Sequence, residues 1–493
     1  MSAARPPRAE LAPGLVVPRI VTGLWQVADQ ERDGRVLDHA KAAAELAAYA
    51  ASGFDAFDMA DHYGSAEDIA GRALAAGMRA AVFTKWVPAP GPMTRAVVRD
   101  GVGRSLARLG AAPDLMQFHW WDFRHPAWLD ALAEMAAMRE EGLLRHLGLT
   151  NFDTAHLHVA LRHGIPIATN QVSFSLLDRR AAGEMSAYCL ENGVRLLAYG
   201  TLGGGFLSDR WVGAPEPAEA GIADWSKMKY RRFIAAMGGW EVFQRLLSAL
   251  RRVADRHGVS VSNVATRWVL EQPAVGAVIV GARLTERDHR AENLALFRFA
   301  LSEQDHAEIA EALATAKPIP GDCGDESRKP PFLTASGDLS HHLASLPKPY
   351  HATETGPNRW RVDTGSVWEG IAGYSRAVRV GDRVLVSGTT ATHGSGTVVC
   401  PGDPRGQTTW ILDKISASLA ACGARLEDVV RTRIYLRSAE DWEAVSREHG
   451  RVFGAVRPAN TLVEARLVGD YLVEIEAEAV IGAGAVTPPA RGS

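Results

Sequence analysis

From residue 15 to about 300 the chain repeats one rhythm: a short apolar run, then a longer stretch with apolar residues at helical spacing. The apolar runs are PRIVTGLWQV, FDAFDMA, RAAVFTKWV, DLMQFHWW, LRHLGLTN, IATNQVSF, RLLAYGTL and AVGAVIVGA. Helical patterns such as VLDHAKAAAELAAYAASG and HPAWLDALAEMAAMREEG lie between them, and both end at a glycine (Gly53, Gly142), a common helix stop. Strand–helix units in series predict an α/β fold, a (β/α)8 TIM barrel. The competing doubly wound sheet calls for a glycine-rich turn straight after the first strand, and LWQVADQERDG lacks GxGxxG.

The rhythm breaks at PIPGDCGDESRKPPFLTASGDLSHHLASLPKPY, rich in proline, glycine and polar residues. Beyond it RVLVSGTTA, VVRTRIYLR, PANTLVEARL and YLVEIEAEAVIG read as strands, and TTWILDKISASLAACG and SAEDWEAVSREHGRVFG as helices. The expected layout is a barrel over 1–317, a linker over 318–355, a smaller α+β domain over 356–484 and a tail over 485–493.

Composition narrows the function. The 493 residues carry a formal net charge of −3 and are 47% hydrophobic, as expected of a globular chain with no affinity for nucleic acid. No run reaches the length of a membrane span, and the amino-terminal MSAARPPRAELAPG has no apolar core of a secretory signal. Four scattered cysteines without CxxC suggest a reducing compartment, the cytoplasm, with inert or surface thiols. No metal-type spacing occurs; HLH at 156–158 and SHH at 340–342 read as surface histidines.

Barrel enzymes place catalytic groups where strands end at the C-terminal face. Asp58 and Tyr63 follow the second strand, Lys85 ends the third and His119 the fourth. One polar residue at a strand end is ordinary trim; four on consecutive strands predict a site. A phenol of pKa about 10 handles protons poorly at neutral pH, and a neighbouring ammonium held by a carboxylate favours its ionised form. That combination suits carbonyl reduction, with Tyr63 as acid, Lys85 and Asp58 as its relay, and His119 hydrogen-bonded to the substrate oxygen.

These segments, GFDAFDMADHYGSAE, FTKW and QFHW, resemble the aldo-keto reductase superfamily over residues 15–316. The resemblance implies an NADP(H)-dependent oxidoreductase that reduces an aldehyde or ketone, or oxidises the alcohol, by hydride transfer. It implies NADPH, with NADH as the alternative, held by Thr150, Asn151 and Gln171 at the carboxamide, with Tyr199 stacked on the nicotinamide ring. Gly200, Thr201, Leu202 and Gly203 would lie along the phosphates, and Gly281, Arg283, Thr285, His289, Glu292 and Asn293 would take the adenosine end. Arg287 is a further partner for a 2′-phosphate. Trp25, Trp86 and Trp120 are the expected walls of the substrate pocket.

Residues 356–484 resemble the reactive-intermediate deaminase (RidA) family through GYSRAVRVGDRVLVSGTTA, DKISASLAACGARLEDVVRTRIYL and RPANTLVEARL. That resemblance implies a trimer with clefts between subunits, formed here by Tyr374, Asn460 and Glu474. Asn460 stands where the family carries a carboxylate-binding arginine, so altered or lost imine deaminase activity is expected. Two other readings stay open: a cofactor-sensing subunit of an assembly, and a second domain that serves only to trimerise or bind a ligand.

Overall fold

A computed structural model describes residues 5–218, 221–222, 224–328, 346–394 and 396–484. The expected tail, 485–493, lies outside the described residues, as do His341 and His342.

Eight parallel strands close into a barrel: β1 (Ile20–Gly23), β2 (Ala56–Asp58), β3 (Ala81–Trp86), β4 (Leu115–His119), β5 (His146–Thr150), β6 (Ile167–Ser173), β7 (Arg195–Tyr199) and β8 (Val275–Gly281). Each strand pairs with the next and β8 returns to β1. The strands are buried almost throughout, because helices cover their outer faces and side chains fill the inside. The outer layer includes α1 (His39–Ala51), α2 (Ala66–Ala75), α3 (Arg95–Leu109), α4 (Trp128–Glu140), α5 (Thr154–Arg162) and α6 (Glu184–Glu191). After β7 come α7 (Trp225–Ala236), α8 (Trp240–His257) and α9 (Val261–Leu270), and after β8 comes α10 (Glu303–Leu313). A hairpin absent from the sequence reading, Arg8–Ala12 with Leu15–Pro18, plugs the amino-terminal end. Its Leu11, Leu15 and Val17 pack on Val21, Phe83 and Leu197 inside the barrel.

The second domain is a seven-stranded sheet ordered β9 (Ala352–Gly356), β10 (Arg359–Val362), β11 (Ala377–Val380), β12 (Arg383–Thr390), β15 (Val473–Val480), β13 (Val429–Leu436) and β14 (Ala459–Glu464). Only β13 and β14 run parallel. The chain forms α11 (Pro404–Ala421) and α12 (Trp442–Phe453), which cover one face of the sheet. The expected linker is therefore shared out: Ala352–Gly356 is already a strand, and Asp322–Arg328 is seated on the barrel.

The two domains share one apolar core cluster. Helix α5 is covered by the barrel on one side and by α11 on the other. Across this seam the His156 ring bonds Asp413 at 2.9 Å, the His158 ring bonds Asp403 at 2.5 Å, and Trp128 meets Trp410 with ring centres 6.0 Å apart. The expectation that 156–158 holds surface histidines is thus overturned: His156 and His158 are buried. A helix clad on both sides shows no polar face, and its second cover comes from residues some 250 positions later in the chain. All four cysteines are buried too, none at the surface, and burial pushes the Cys189 and Cys400 thiols up to about 12.

Candidate active site

The strand ends deliver the four predicted side chains to one place. On β2 and β3 the side chains alternate, so Asp58 and Lys85 point into the barrel and meet there. Lys85 Nζ donates to Asp58 Oδ2 at 2.6 Å and to the Met59 carbonyl at 2.7 Å, with both residues almost fully buried. Burial drives the lysine pKa down, and the Asp58 carboxylate opposes that shift. Asp58 Oδ1 accepts from Gln117 Nε2 at 2.9 Å and from Gln171 Nε2 at 2.8 Å.

Tyr63 stands on the loop after β2. Its ring lies over the Lys85 ammonium, 4.8 Å from nitrogen to centroid, and takes the edges of Trp25 and His62 at 4.9 Å each. The loop is tied to β3: Asp61 N donates to the Lys85 carbonyl, and Val87 N donates to Asp61 Oδ2.

His119 Nδ1 lies 3.1 Å from the Thr150 carbonyl. A carbonyl only accepts, so this nitrogen carries the proton and Nε2 keeps a lone pair. Nε2 is buried without a partner. Burial, helped by the Arg328 charge, holds the ring well below the usual histidine range, which keeps it neutral. His119 is therefore set to accept a hydrogen bond from a substrate hydroxyl, whereas donation to a carbonyl oxygen needs the other tautomer.

All four residues line a cavity of about 410 Å³ at the barrel mouth. Thr150, Asn151, Gln171, Tyr199, Gly200, Thr201, Leu202, Gly281, Arg283 and His289 line it as well. Gly203, Thr285, Glu292 and Asn293 do not. Thr285 N is occupied by the Glu45 carboxylate, Glu292 pairs with His289, and a Cβ on Gly203 would point at Leu177. Gln171 proves to be a support as much as a wall, since its amide nitrogen is shared between Asp58 and Gln117.

Of the three tryptophans only Trp25 faces the cavity. Trp86 and Trp120 are corrections imposed by strand alternation. With Lys85 and His119 turned inward, their next neighbours turn outward, Trp86 onto Gly101 and Trp120 onto Phe118. Trp121 and Trp225 supply the aromatic walls instead. Sequence reading also missed Gln117, Lys229 and Glu326. Gln117 had a signal, a polar residue two positions before His119 on an otherwise apolar strand; Glu326 had none.

The residues present fit a nicotinamide dinucleotide. Thr150 Oγ1 is buried with no partner, as a carboxamide contact would require, and Tyr199 offers a ring beside it. At the far end Arg283 is engaged by Asp29 and Asp224, while Arg287 also lines the cavity and is exposed.

In the second domain Glu474 lies against Gly388, where an added Cβ would meet Glu474 Oε1 at 1.9 Å, and Arg376, which donates to the Gly388 carbonyl, lies 5.8 Å from the Tyr374 ring centre. Asn460 is elsewhere. Its Oδ1 accepts from Thr432, which is buried against His449 of α12, so Asn460 faces the helices. Glu474 alternates with buried Val473 and Ile475 and faces the open side. One chain does not bring the three together.

A parallel barrel with a tyrosine, a lysine–carboxylate pair and a neutral histidine at its mouth fits a class, the NAD(P)H-linked oxidoreductases. The chain belongs to the aldo/keto reductase family, whose profile matches residues 19–314, and residues 365–481 match the endoribonuclease L-PSP family, which includes RidA. Protein tas of Escherichia coli is 31% identical over 240 residues, 44% of this chain and 66% of that protein. An uncharacterised protein of Streptomyces coelicolor is 42% identical over 125 residues, 25% of this chain and 92% of that protein. The glycerol dehydrogenase of Gluconobacter oxydans has a similar solved structure, with a TM-score of 0.54 at 25% identity over 64% of this chain and 97% of that one. Among the described residues no helix is long and apolar enough to cross a membrane, and no cluster of metal-ligating side chains occurs.

Proposed function

We propose that the barrel reduces an aldehyde or ketone, or oxidises the corresponding alcohol, with Tyr63 as proton donor and NADPH as the preferred cofactor. The observation that carries this reading is the buried Asp58–Lys85 pair directly beneath the Tyr63 ring, at the floor of a cavity large enough for a ligand. When bound, the cofactor supplies or takes the hydride. Lys85, kept charged by Asp58, lowers the cost of moving the phenolic proton to an alkoxide. His119 Nε2 accepts the hydroxyl of the alcohol and so orients that form of the substrate. Trp25, Trp121 and Trp225 favour a substrate with apolar surface. Arg287, exposed at the adenosine end, favours a 2′-phosphate and hence NADPH over NADH.

Nicotinamide absorbance with NADPH and NADH against a panel of aldehydes and ketones tests the reading. Turnover with NADPH at the higher kcat/KM is expected; tight cofactor binding without turnover on any carbonyl would favour the sensor role.

The second domain is proposed to trimerise through its open sheet face and to have altered or lost deaminase activity. That face carries exposed Leu385 and Val463 beside Tyr435, while the opposite face is already occupied by its helices and the barrel. Because Asn460 and Glu474 lie on opposite faces, a joint cleft needs two copies. Light scattering after size exclusion is expected to give three times the 53.1 kDa chain mass or a multiple of it; a monomer at micromolar concentration removes both trimer and cleft. The protein is proposed to act in the cytoplasm, in keeping with its unpaired cysteines.

A further inference from the structure

The segment Asp322–Arg328 lies beyond the stretch matched by the aldo/keto reductase profile, yet it crosses the mouth of the barrel. It is anchored at several points. Thr154 N at the start of α5 donates to Asp322 Oδ2 at 3.0 Å, and Arg180 Nη1 donates to the Asp322 carbonyl at 2.7 Å. At the other end Arg328 Nε donates to the Trp120 carbonyl at 3.0 Å. In between, Gly324 has a φ of +85°, and a Cβ there would meet the Asn151 carbonyl at 2.0 Å. A left-handed backbone pressed that closely on the site tolerates only glycine.

This seat brings Ser327 to the cavity wall and Glu326 behind it, against Tyr199. The Glu326 carboxylate has no exposed surface. Oε2 accepts from Arg180 Nη2 at 2.7 Å, and Oε1 lies 3.1 Å from the Tyr199 hydroxyl. That hydroxyl also faces Asn151 Oδ1 at 2.9 Å, and Lys229 Nζ approaches it at 3.4 Å. A phenol has one proton for these two acceptors, and the charged carboxylate is the stronger of them. Asn151, with its side-chain amide turned over, then donates to the phenol oxygen. Burial and the carboxylate both push the Tyr199 pKa up, so the hydroxyl keeps its proton for this bond. A buried ion pair adds little to stability by itself, and Arg180 already has a two-point partner in Asp178.

We propose that Glu326 is a positioning residue of the nicotinamide site: it fixes the Tyr199 ring and, through it, Asn151, so that a segment beyond the barrel completes the cofactor platform. The proposal rests on the reading of Tyr199 as the nicotinamide platform. The strand ends supply the polar groups of the mouth, and this segment after the last barrel helix sets the geometry.

The test is a double-mutant cycle on cofactor affinity, read by NADPH fluorescence or by quenching of protein tryptophan, together with kcat and KM. Glu326→Ala is expected to weaken NADPH binding roughly 5- to 30-fold, as loss of one charge-assisted hydrogen bond does. Tyr199→Phe is expected to act similarly, and the double variant to be no worse than either single one. Glu326→Gln keeps an acceptor for the phenol but turns its amide NH2 onto Arg180, so a weakening smaller than that of Glu326→Ala is expected. If Glu326→Ala fails to fold, Glu326→Asp replaces it, since it keeps the charge beside Arg180 but withdraws the oxygen from Tyr199; the same weakening is expected. Full additivity with Tyr199→Phe, or unchanged affinity and kcat in Glu326→Ala, overturns the positioning role while leaving the reductase intact. Failure of wild type to bind either nicotinamide cofactor overturns the platform reading itself, and the proposal with it.

Discussion

Tyr63→Phe is expected to lower turnover by about 10²- to 10⁴-fold, the range that a positioned general acid contributes, while cofactor affinity stays within about two-fold. The substitution removes one oxygen and keeps the ring that fills the space between Trp25, His62 and the Lys85 ammonium. Packing and cation–ring attraction therefore survive, and the lost rate reports the proton alone. If Tyr63 acts through Lys85, the pH profile of wild-type reduction should lose activity on the alkaline side, and residual activity in the variant should not follow that limb. Stopped-flow absorbance at 340 nm with one good substrate measures both. A variant that keeps more than about a tenth of wild-type turnover would move the proton-donor role to another group.

His156→Gln is expected to lower the melting temperature by several degrees at pH 6, and by much less at pH 10. Burial alone would push the His156 imidazole down; Asp153 at 2.6 Å and Asp413 at 2.9 Å together outweigh it and bring it up to about 9. A folded pKa above the unfolded value means that the stabilisation is fully present below about pH 6.5 and is lost as pH rises through about 9. The gap from the ordinary value corresponds to roughly 3–4 kcal/mol. Removing the cation also strands two buried carboxylates, which adds to the cost in the range of about 3–5 kcal/mol for a broken buried pair. Asp153 is held well down by this histidine, while burial raises Asp413. The Arg328 and Arg451 charges stand near Asp153, and Arg451 also acts on Asp413. Lys414 works in the opposite sense, since burial lowers it to about 7. The informative quantity is hence the difference between wild type and variant at each pH, from differential scanning calorimetry. A difference that does not shrink between pH 7 and pH 10 would show that His156 is neutral in the folded protein.

Much of the barrel, and the meeting of four polar side chains at its mouth, was legible in the sequence, because three of them interrupt an apolar strand at the end that opens on the cavity. Asp58, Lys85 and His119 each close a short buried run or fall within a residue of its end, and strand alternation turns them all inward. The same alternation, left unapplied, put Trp86 and Trp120 on the wrong side of their strands. The residues expected at the adenosine end were harder, since Arg283 pairs with Asp29 some 250 positions away, and Glu292 pairs with His289 rather than lining the cavity. His156 and His158 were misread because a helix covered twice has no polar face, and its second cover lies in another domain. Glu326 was invisible for a related reason: a segment rich in glycine, proline and acid reads as a connector, and only its partners Arg180 and Tyr199 give it a place.

The seating of Asp322–Arg328 bears on how such a protein can be cut and recombined. Residues 19–314 would carry eight strands and all four catalytic side chains to a new host, as a cassette. That cassette would arrive without Glu326, and with the outer side of Thr154–Arg162 stripped to water. A replacement second domain would have to offer carboxylates where Asp403 and Asp413 now stand. Recombination at the apparent boundary would therefore part the barrel both from the carboxylate behind Tyr199 and from the cover of its own helix.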